Sequence, residues 1–458
     1  MRRLACRIVM MKSVVAGMLL TGTVYGQSSD AILDLLIKKG IITQREANDV
    51  REQLDQQTQQ TVEMYSKTRV SSWLDALTFS GDLRLRAEYF SFEDSLNKPD
   101  RLRWRYRLRF GAEARFPEWA TVNLRLVSSD GDPVSGNETF TDVFRKKAIT
   151  IDVASVTIAP PWTDAIKVIG GKFDNPVWQP AVFLSPMVFD YDVTPEGVAE
   201  QFQWKFGDNQ QHRLFINAGQ YSLKEFSSES NDAYMFDQLA GIEAKFGPDP
   251  KTPKVKVIAA GGCYLTHNLA NVKAGDSPNL GNALIGTSNT TNYPGDFEVA
   301  YARAEVAWNI AEHPFLGTPP LLRVVGEYDA NLAGIYGGLK GVPSSVTSND
   351  LNQTTGWTAQ IAFGDYKKKR QWALAYQYKY LQADSTFDAI TDSDWGNGGT
   401  DRQGHIAKAI YMLQDWWGLV FTAFITEKIS DRPNTGHNTV GVNGEDLLRV
   451  QVDTQFKF

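Results

Sequence analysis

From Thr78 to Phe458 the chain alternates apolar and polar side chains with a period of two, the period of a β-strand whose two faces meet different surroundings. The clearest stretch is RLRWRYRLRFGAEARF, residues 101–116. Leu102, Trp104, Tyr106, Leu108, Phe110, Ala112 and Ala114 take one face; Arg101, Arg103, Arg105, Arg107, Arg109, Gly111, Glu113 and Arg115 take the other. Just before it, the run 79–89 sets Leu83, Leu85, Ala87 and Tyr89 against Arg84, Arg86 and Glu88. The last run behaves alike. Leu448, Val450, Val452, Phe456 and Phe458 share a phase broken only by Thr454, opposite Arg449, Gln451, Asp453, Gln455 and Lys457.

Between these runs lie others near 120–127, 149–158, 166–173, 197–206, 213–221, 236–246, 255–265, 298–308, 322–328, 357–363, 372–381, 405–414 and 419–427. Together they make about sixteen strands, most of them close to the roughly 9–11 residues that cross a bilayer when tilted. The connections alternate in length. FPEW, APPWTDA, GDNQQ, GPDPKTP, AEHPFLGTPP, GDYKKKR and the turn at Asp415-Trp416 are short, whereas 128–147, 174–196, 266–296, 332–356 and 382–403 are long and polar. Short turns on one rim and long loops on the other suit an outer-membrane barrel; a soluble β-sandwich gives no such alternation. The expected fold is therefore all-β, an antiparallel transmembrane β-barrel of about sixteen strands over 78–458.

The residues before it read differently. Arg2, Arg3, Arg7 and Lys12 precede an apolar run, Val14 to Val24, and the small-residue-like site Val24-Tyr25-Gly26, so 1–26 is expected to be a cleaved secretory signal. Its apolar run is shorter than the roughly 20 residues of a spanning helix. Over 27–77 the spacing of Leu33, Leu36, Ile37, Ile41 and Ile42, and the capping box Thr43–Glu46, predict a short periplasmic helical or coiled-coil segment. It serves either as an assembly module or as a solvated spacer.

Composition narrows the class further. With 22% charged residues and a mean hydropathy of −0.31 the chain holds no bundle of transmembrane helices, but a barrel strand is apolar only at alternate residues. Aromatics at 12% suit interfacial girdles. Loss of the signal's four positive charges takes the formal net charge from −6 to −10. An acidic, exported chain argues against reading the arginine run as a nucleic-acid surface. Cys6 leaves with the signal, so Cys263 stands alone, without an intramolecular disulfide or a metal cluster, and reads as an inert strand residue. The five histidines, 212, 267, 313, 405 and 437, are scattered, so neither a catalytic set nor a metal site is expected. No cofactor motif is found. The acidic stretch TDSDWGNGGTD, 391–401, departs from calcium-loop spacing and reads as a solvated loop tip.

The final strand resembles the C-terminal strand of bacterial outer-membrane barrels, which ends in Phe after alternating apolar positions. Residues 170–204, GGKFDNPVWQPAVFLSPMVFDYDVTPEGVAEQFQW, resemble a segment of a porin family of Gram-negative bacteria, through Gly171-Lys172-Phe173-Asp174-Asn175-Pro176, Phe189-Asp190-Tyr191-Asp192 and Pro195-Glu196-Gly197-Val198-Ala199. The leader LLIKKGIITQREA resembles that family's leader as well. The resemblance implies an outer-membrane porin for passive diffusion of small hydrophilic solutes and ions, surrounded by outer-membrane lipids, assembled as a homotrimer, and not an enzyme. It also implies that the third long loop, about 174–196, folds into the lumen.

Physical chemistry places the arginines beside that loop. On the lipid face each would cost about 2–4 kcal/mol at mid-bilayer, so Arg84, Arg86, Arg101, Arg103, Arg105, Arg107 and Arg109 are expected to face the lumen. Asp174, Asp190, Asp192 and Glu196 of the loop are the expected partners. A cationic wall opposite an acidic loop would set charge preference, in favour of anions. Three alternatives stand beside this: arginines that only brace the loop or hydrate a wide lumen, a substrate-specific channel for sugar, phosphate or organic acid, and a sealed structural or adhesin barrel.

Overall fold

The computed structural model describes residues 76–458, apart from 93–98, 117–118, 181–183, 229, 273–280, 283–292, 294, 334–352 and 430–446. The chain divides into two units, Met1–Ser72 and Trp73–Phe458, and the description concerns the second. The expected signal and helical segments lie outside the described residues, except that β-structure already begins at Ala76.

Sixteen staves form one closed antiparallel sheet. The first five are β1 (Ala76–Phe92), β2 (Arg101–Arg115), β3 (Ala120–Val127), then, past the two-residue ladder β4 (Glu138–Thr139), β5 (Thr150–Ile158) and β6 (Ile166–Lys172). β7 (Glu196–Phe206), β8 (His212–Lys224), β9 (Ala233–Phe246), β10 (Val255–His267), β11 (Glu298–Asn309) and β12 (Leu321–Asn331) continue the wall. β13 (Thr355–Gly364), β14 (Trp372–Leu381), β15 (Arg402–Gln414), β16 (Trp417–Lys428) and β17 (Leu447–Lys457) complete it. Each run expected from the alternation is a stave. β17 pairs with both β16 and β1, which removes the open edges that any flat sheet would expose. The seam is stitched by Phe458, whose N–H donates to Gly81 O at 3.0 Å while Gly81 N–H donates to Phe458 O at 2.8 Å. Gly81 has to be glycine there, because a Cβ would sit 2.5 Å from the Phe458 ring.

The two phases of each stave meet different surroundings. Tyr89, Trp104, Leu108 and Phe110 are exposed on the outer wall, while Arg86 is 4% and Glu88 0% exposed within. A contiguous band of exposed large apolar side chains around a whole barrel is the lipid-facing surface. The interior is far from empty. Apolar side chains from 173–189 (Phe173, Leu184, Met187 and Phe189) pack with Leu269, Phe297, Phe387 and Trp395 of other loops. They lie on lumen-phase residues such as Phe215, Leu239, Tyr264 and Phe424. Most of the wall from β7 to β16 is thus covered by inward-folded loops. An arginine-rich network lies along β1, β2 and β17, and a second set of buried charges, Asp237, Arg303, Glu305, Glu327, Asp329 and Lys379, lies on β9–β14.

Candidate functional site

The loop between β6 and β7 crosses the barrel. It leaves the fifth stave, and at Ser185 it meets β14, the thirteenth of sixteen and so directly opposite. Ser185 N–H donates to Gln377 Oε1 (3.0 Å) and Gln377 Nε2 donates to Ser185 O (2.8 Å). Lys379 Nζ donates to Ser185 Oγ (3.1 Å) and Pro186 O (2.7 Å). On the way, Trp178 N–H donates to Asn217 Oδ1 of β8, and Arg303 of β11 donates to Trp178 O. Returning, Asp190 N–H donates to Ile390 O of the loop after β14, at 2.8 Å.

The arginines stand in the inward phase of β1 and β2, with Arg84 opposite Arg107 and Arg86 opposite Arg105. Like charges directly across a ladder repel, so each needs an acid, a hydrogen-bond acceptor or water. Arg86 is the most enclosed. Nε and Nη2 reach Asp453 Oδ1 and Oδ2 at 2.7 and 2.9 Å, and Nη1 reaches Asp394 Oδ2 at 2.7 Å. Asp394 is shared with Arg449 (2.8 Å), which also holds Glu88 (2.6 Å), and Glu88 in turn holds Arg103 (2.6 Å). Arg107 pairs with Asp192 at 2.8 Å and Asp82 at 3.2 Å; Arg109 pairs with Asp82 at 2.7 Å and lies 3.8 Å from Asp192.

Two arginines differ. Arg84 has one described partner, Asn137 Oδ1 at 2.7 Å, and Arg105 has Asn137 O at 3.0 Å and Ser135 Oγ at 3.5 Å. Neither has a carboxylate at ion-pair distance among the described residues, and the Nε of each is buried without an acceptor. Arg101, at the outer end of β2, is solvent-exposed.

The acids expected opposite this wall divide. Asp192 meets it. Asp174 instead pairs with Arg125 of β3 at 2.5 Å, and Glu196, which opens β7, pairs with Lys172 at 3.1 Å. Among the described residues Asp190 faces no arginine at ion-pair distance; its oxygens accept from the N–H groups of Asp192 (2.7 Å) and Ser393 (2.9 Å). Burial, with Asp392 and Asp192 beside it, pushes the Asp190 carboxyl well above the usual range. Burial acts on Asp192 in the same sense, but Arg107, Arg84 and Arg109 outweigh it and hold that carboxyl low. Asp394 is half-buried, and Arg86 and Arg449 hold its carboxyl well below the usual range.

The expectation of a solvated tip at 391–401 is corrected: Asp392 and Asp401 are buried, and Asp394 is the hub of the arginine network. Charge explains the reversal. Two arginines from adjacent staves, β1 and β17, leave a deficit that this acid fills. Asp82, Glu88, Asp453 and Arg449 all lie in the inward phase of their strands, and that phase was the signal that would have assigned them to the site.

Between the wall and the crossing loops lies a slot of about 150 Å³. Arg84, Arg86, Arg107 and Lys408 line it, facing Asp190, Asp192, Asp392, Asp394 and Asp453. The arrangement offers fixed charges around a narrow polar passage, which can select among solutes by sign and size.

A family described as "Putative porin" matches residues 95–273 and 318–439. No curated protein matches the chain. Among solved structures, a loop L8 deletion mutant of OmpT of Vibrio cholerae is similar at 11% identity and TM-score 0.46, over 84% of this chain and all of that one. OmpF of Salmonella typhi with daunomycin is similar at 9% identity and 0.46, over 83% and 97%. OprB of Pseudomonas putida is similar at 10% identity and 0.47, over 83% and 94%.

Proposed function

This chain belongs to the putative-porin family and is an outer-membrane β-barrel channel, and from that premise we propose that it passes small hydrophilic solutes along its arginine wall, with a preference for anions. The observation that carries the preference is the inequality among the arginines. Arg86, Arg103, Arg107 and Arg109 are neutralised by acids, whereas Arg84 and Arg105 present guanidinium groups with no carboxylate at ion-pair distance among the described residues. A passing anion can supply the missing partner, through charge-assisted hydrogen bonds. Asp190, pushed toward its neutral form, weakens the opposing acidic side. The test compares reversal potentials under a salt gradient for the parent protein and an Arg84→Ala/Arg105→Ala double variant. Loss of anion preference supports the reading; an unchanged potential removes it.

The width of the slot favours a substrate-specific channel over a general one. A cavity of about 150 Å³ beside an apolar, loop-filled interior accommodates a small solute and little more.

For the assembled state we propose a homotrimer with β3–β6 turned toward its axis. These staves span 8, 9 and 7 residues, at or below the roughly 9–11 needed to cross a bilayer. Beyond β3 the wall continues as loop: Phe140 N–H donates to Trp104 O, and its ring rests 6.0 Å from Tyr106. Irregular backbone does not face lipid at membrane depth, so a neighbouring protein surface is the fitting cover. The loop tip adds an apolar knob, Val143 and Phe144, at 92% and 100% exposure and both in the left-handed region. On the other flank Glu200 lies in the lipid-facing phase of β7 between exposed Val198 and Phe202, with only Gln220 as a partner among the described residues. Arg145 and Lys146, exposed beside the knob, complement it. Glu200→Lys is expected to convert the oligomer to monomer on native gels; an unchanged oligomer contradicts this placement of the interface.

A further inference from the structure

A second hollow inside the barrel, of about 420 Å³, adjoins the slot and shares Asp192 with it. Its character differs from that of the slot. Leu269 and Val272, from the loop after β10, and Phe387, Ala389 and Ile390, from the loop after β14, give it an apolar floor. Arg109 borders the same space. Its Nε is committed to Asp82, and through Nη1 it only approaches Asp192, at 3.8 Å, which leaves guanidinium donors for another acceptor.

The two halves select a ligand. A sugar would meet hydroxyl and carboxylate acceptors at the sides, such as Thr150 and Thr194. Its other face would lie against floor side chains that accept none, and would lose there hydrogen bonds made in water. An inorganic anion would leave the floor bare. An apolar cation would find most of the acids occupied: Asp152 by Arg125, Glu196 by Lys172 and Asp192 by Arg107. Asp132, on the exposed loop at the mouth, already accepts from Val134 N–H.

We propose that this hollow is a binding subsite for small organic anions carrying one ring or branched chain, with the charged head on Arg109 and the body on the loop floor. It deepens the anion-channel reading and rests on it: the subsite gathers such solutes beside the slot, which Arg84 lines with no carboxylate at ion-pair distance among the described residues. Carboxylates and sulfonates share the required chemistry. Entry lowers the cost of removing an apolar body from water while keeping the head hydrogen-bonded.

The experiment uses the full-length protein in planar bilayers and measures block of the potassium chloride current by benzoate, acetate and benzylammonium. Benzoate is expected to half-block at about one tenth of the acetate concentration, the effect of burying part of one ring. Benzylammonium is expected to block no better than acetate. A Val272→Thr/Ile390→Thr variant, close in shape and shown to be folded by its heat-modifiable gel mobility, should bring benzoate back to the acetate value. Equal block by benzoate and acetate in a conducting parent channel overturns the subsite, and so does tighter block by benzylammonium. Absence of any current strikes the channel reading instead. Equilibrium dialysis of benzoate against the folded barrel then decides the subsite separately, with binding supporting it and no binding overturning it.

Discussion

Arg84 and Arg86 are two residues apart on one strand face and do opposite work. Arg86 is buried between Asp453 and Asp394, so truncating it leaves the buried Asp453 without its cation and Asp394 with Arg449 alone. Arg86→Ala is therefore expected to destabilise the barrel by about 3–5 kcal/mol, read from the denaturant midpoint in detergent. Arg84→Ala removes one hydrogen bond and should leave that midpoint nearly unchanged while reducing anion preference. Asp190 makes the pH dependence specific. Its pKa is raised and that of Asp192 lowered, so as pH falls Asp190 binds its proton first and the slot loses a negative charge. Anion selectivity should rise through that step, and Asp190→Asn should hold the raised selectivity at every pH. A parent channel with a flat profile would contradict the assignment. The neighbours able to blur it are Asp192, Asp392, Arg107 and Lys408, which line the same slot.

At the scale of elements, strands and loops differed in how much the chain disclosed. Strand phase is a local property: a period of two repeated over a strand suffices to put Arg84 to Arg109 inside, because the other phase is so plainly apolar. The crossing of the β6–β7 loop has no local signature. Asp174 was expected to meet the arginine wall, yet it meets Arg125, whose position depends on the short β3 ending beside it. Asp394 sits in a stretch that looks like a polar tip and is drawn inward by Arg86 and Arg449, 308 and 55 residues distant in the chain. The loop's hold on the far wall is itself testable. Gln377 both donates to and accepts from Ser185, so Gln377→Ala leaves a buried N–H and C=O unpaired, at about 1–3 kcal/mol. Single-channel records of this variant should show a larger or noisier open level. A record identical to the parent would mean the loop tip does not bound the passage.

For the whole molecule, the barrel is a closed wall with an asymmetric filling. Loops pack an apolar core against β7–β16, while β1, β2 and β17 carry the arginine network and, with β15 and β16, border the slot. On the proposed reading, solute passage along β1, β2 and β17 and oligomer contacts on β3–β6 fall on different sectors of one ring. Neither the filling nor the sectors can be read from alternation, which reports only which side of its own strand a residue occupies. The most direct test of the account is single-channel recording of the refolded, full-length protein in a planar bilayer, with the reversal potential taken under a salt gradient. Stable ohmic steps with a potential shifted toward anion permeation are the predicted result. Cation-selective steps would transfer control to the acids of the crossing loops. Silence from folded protein would mean that the loops seal the barrel and that the passage along the arginine wall does not conduct.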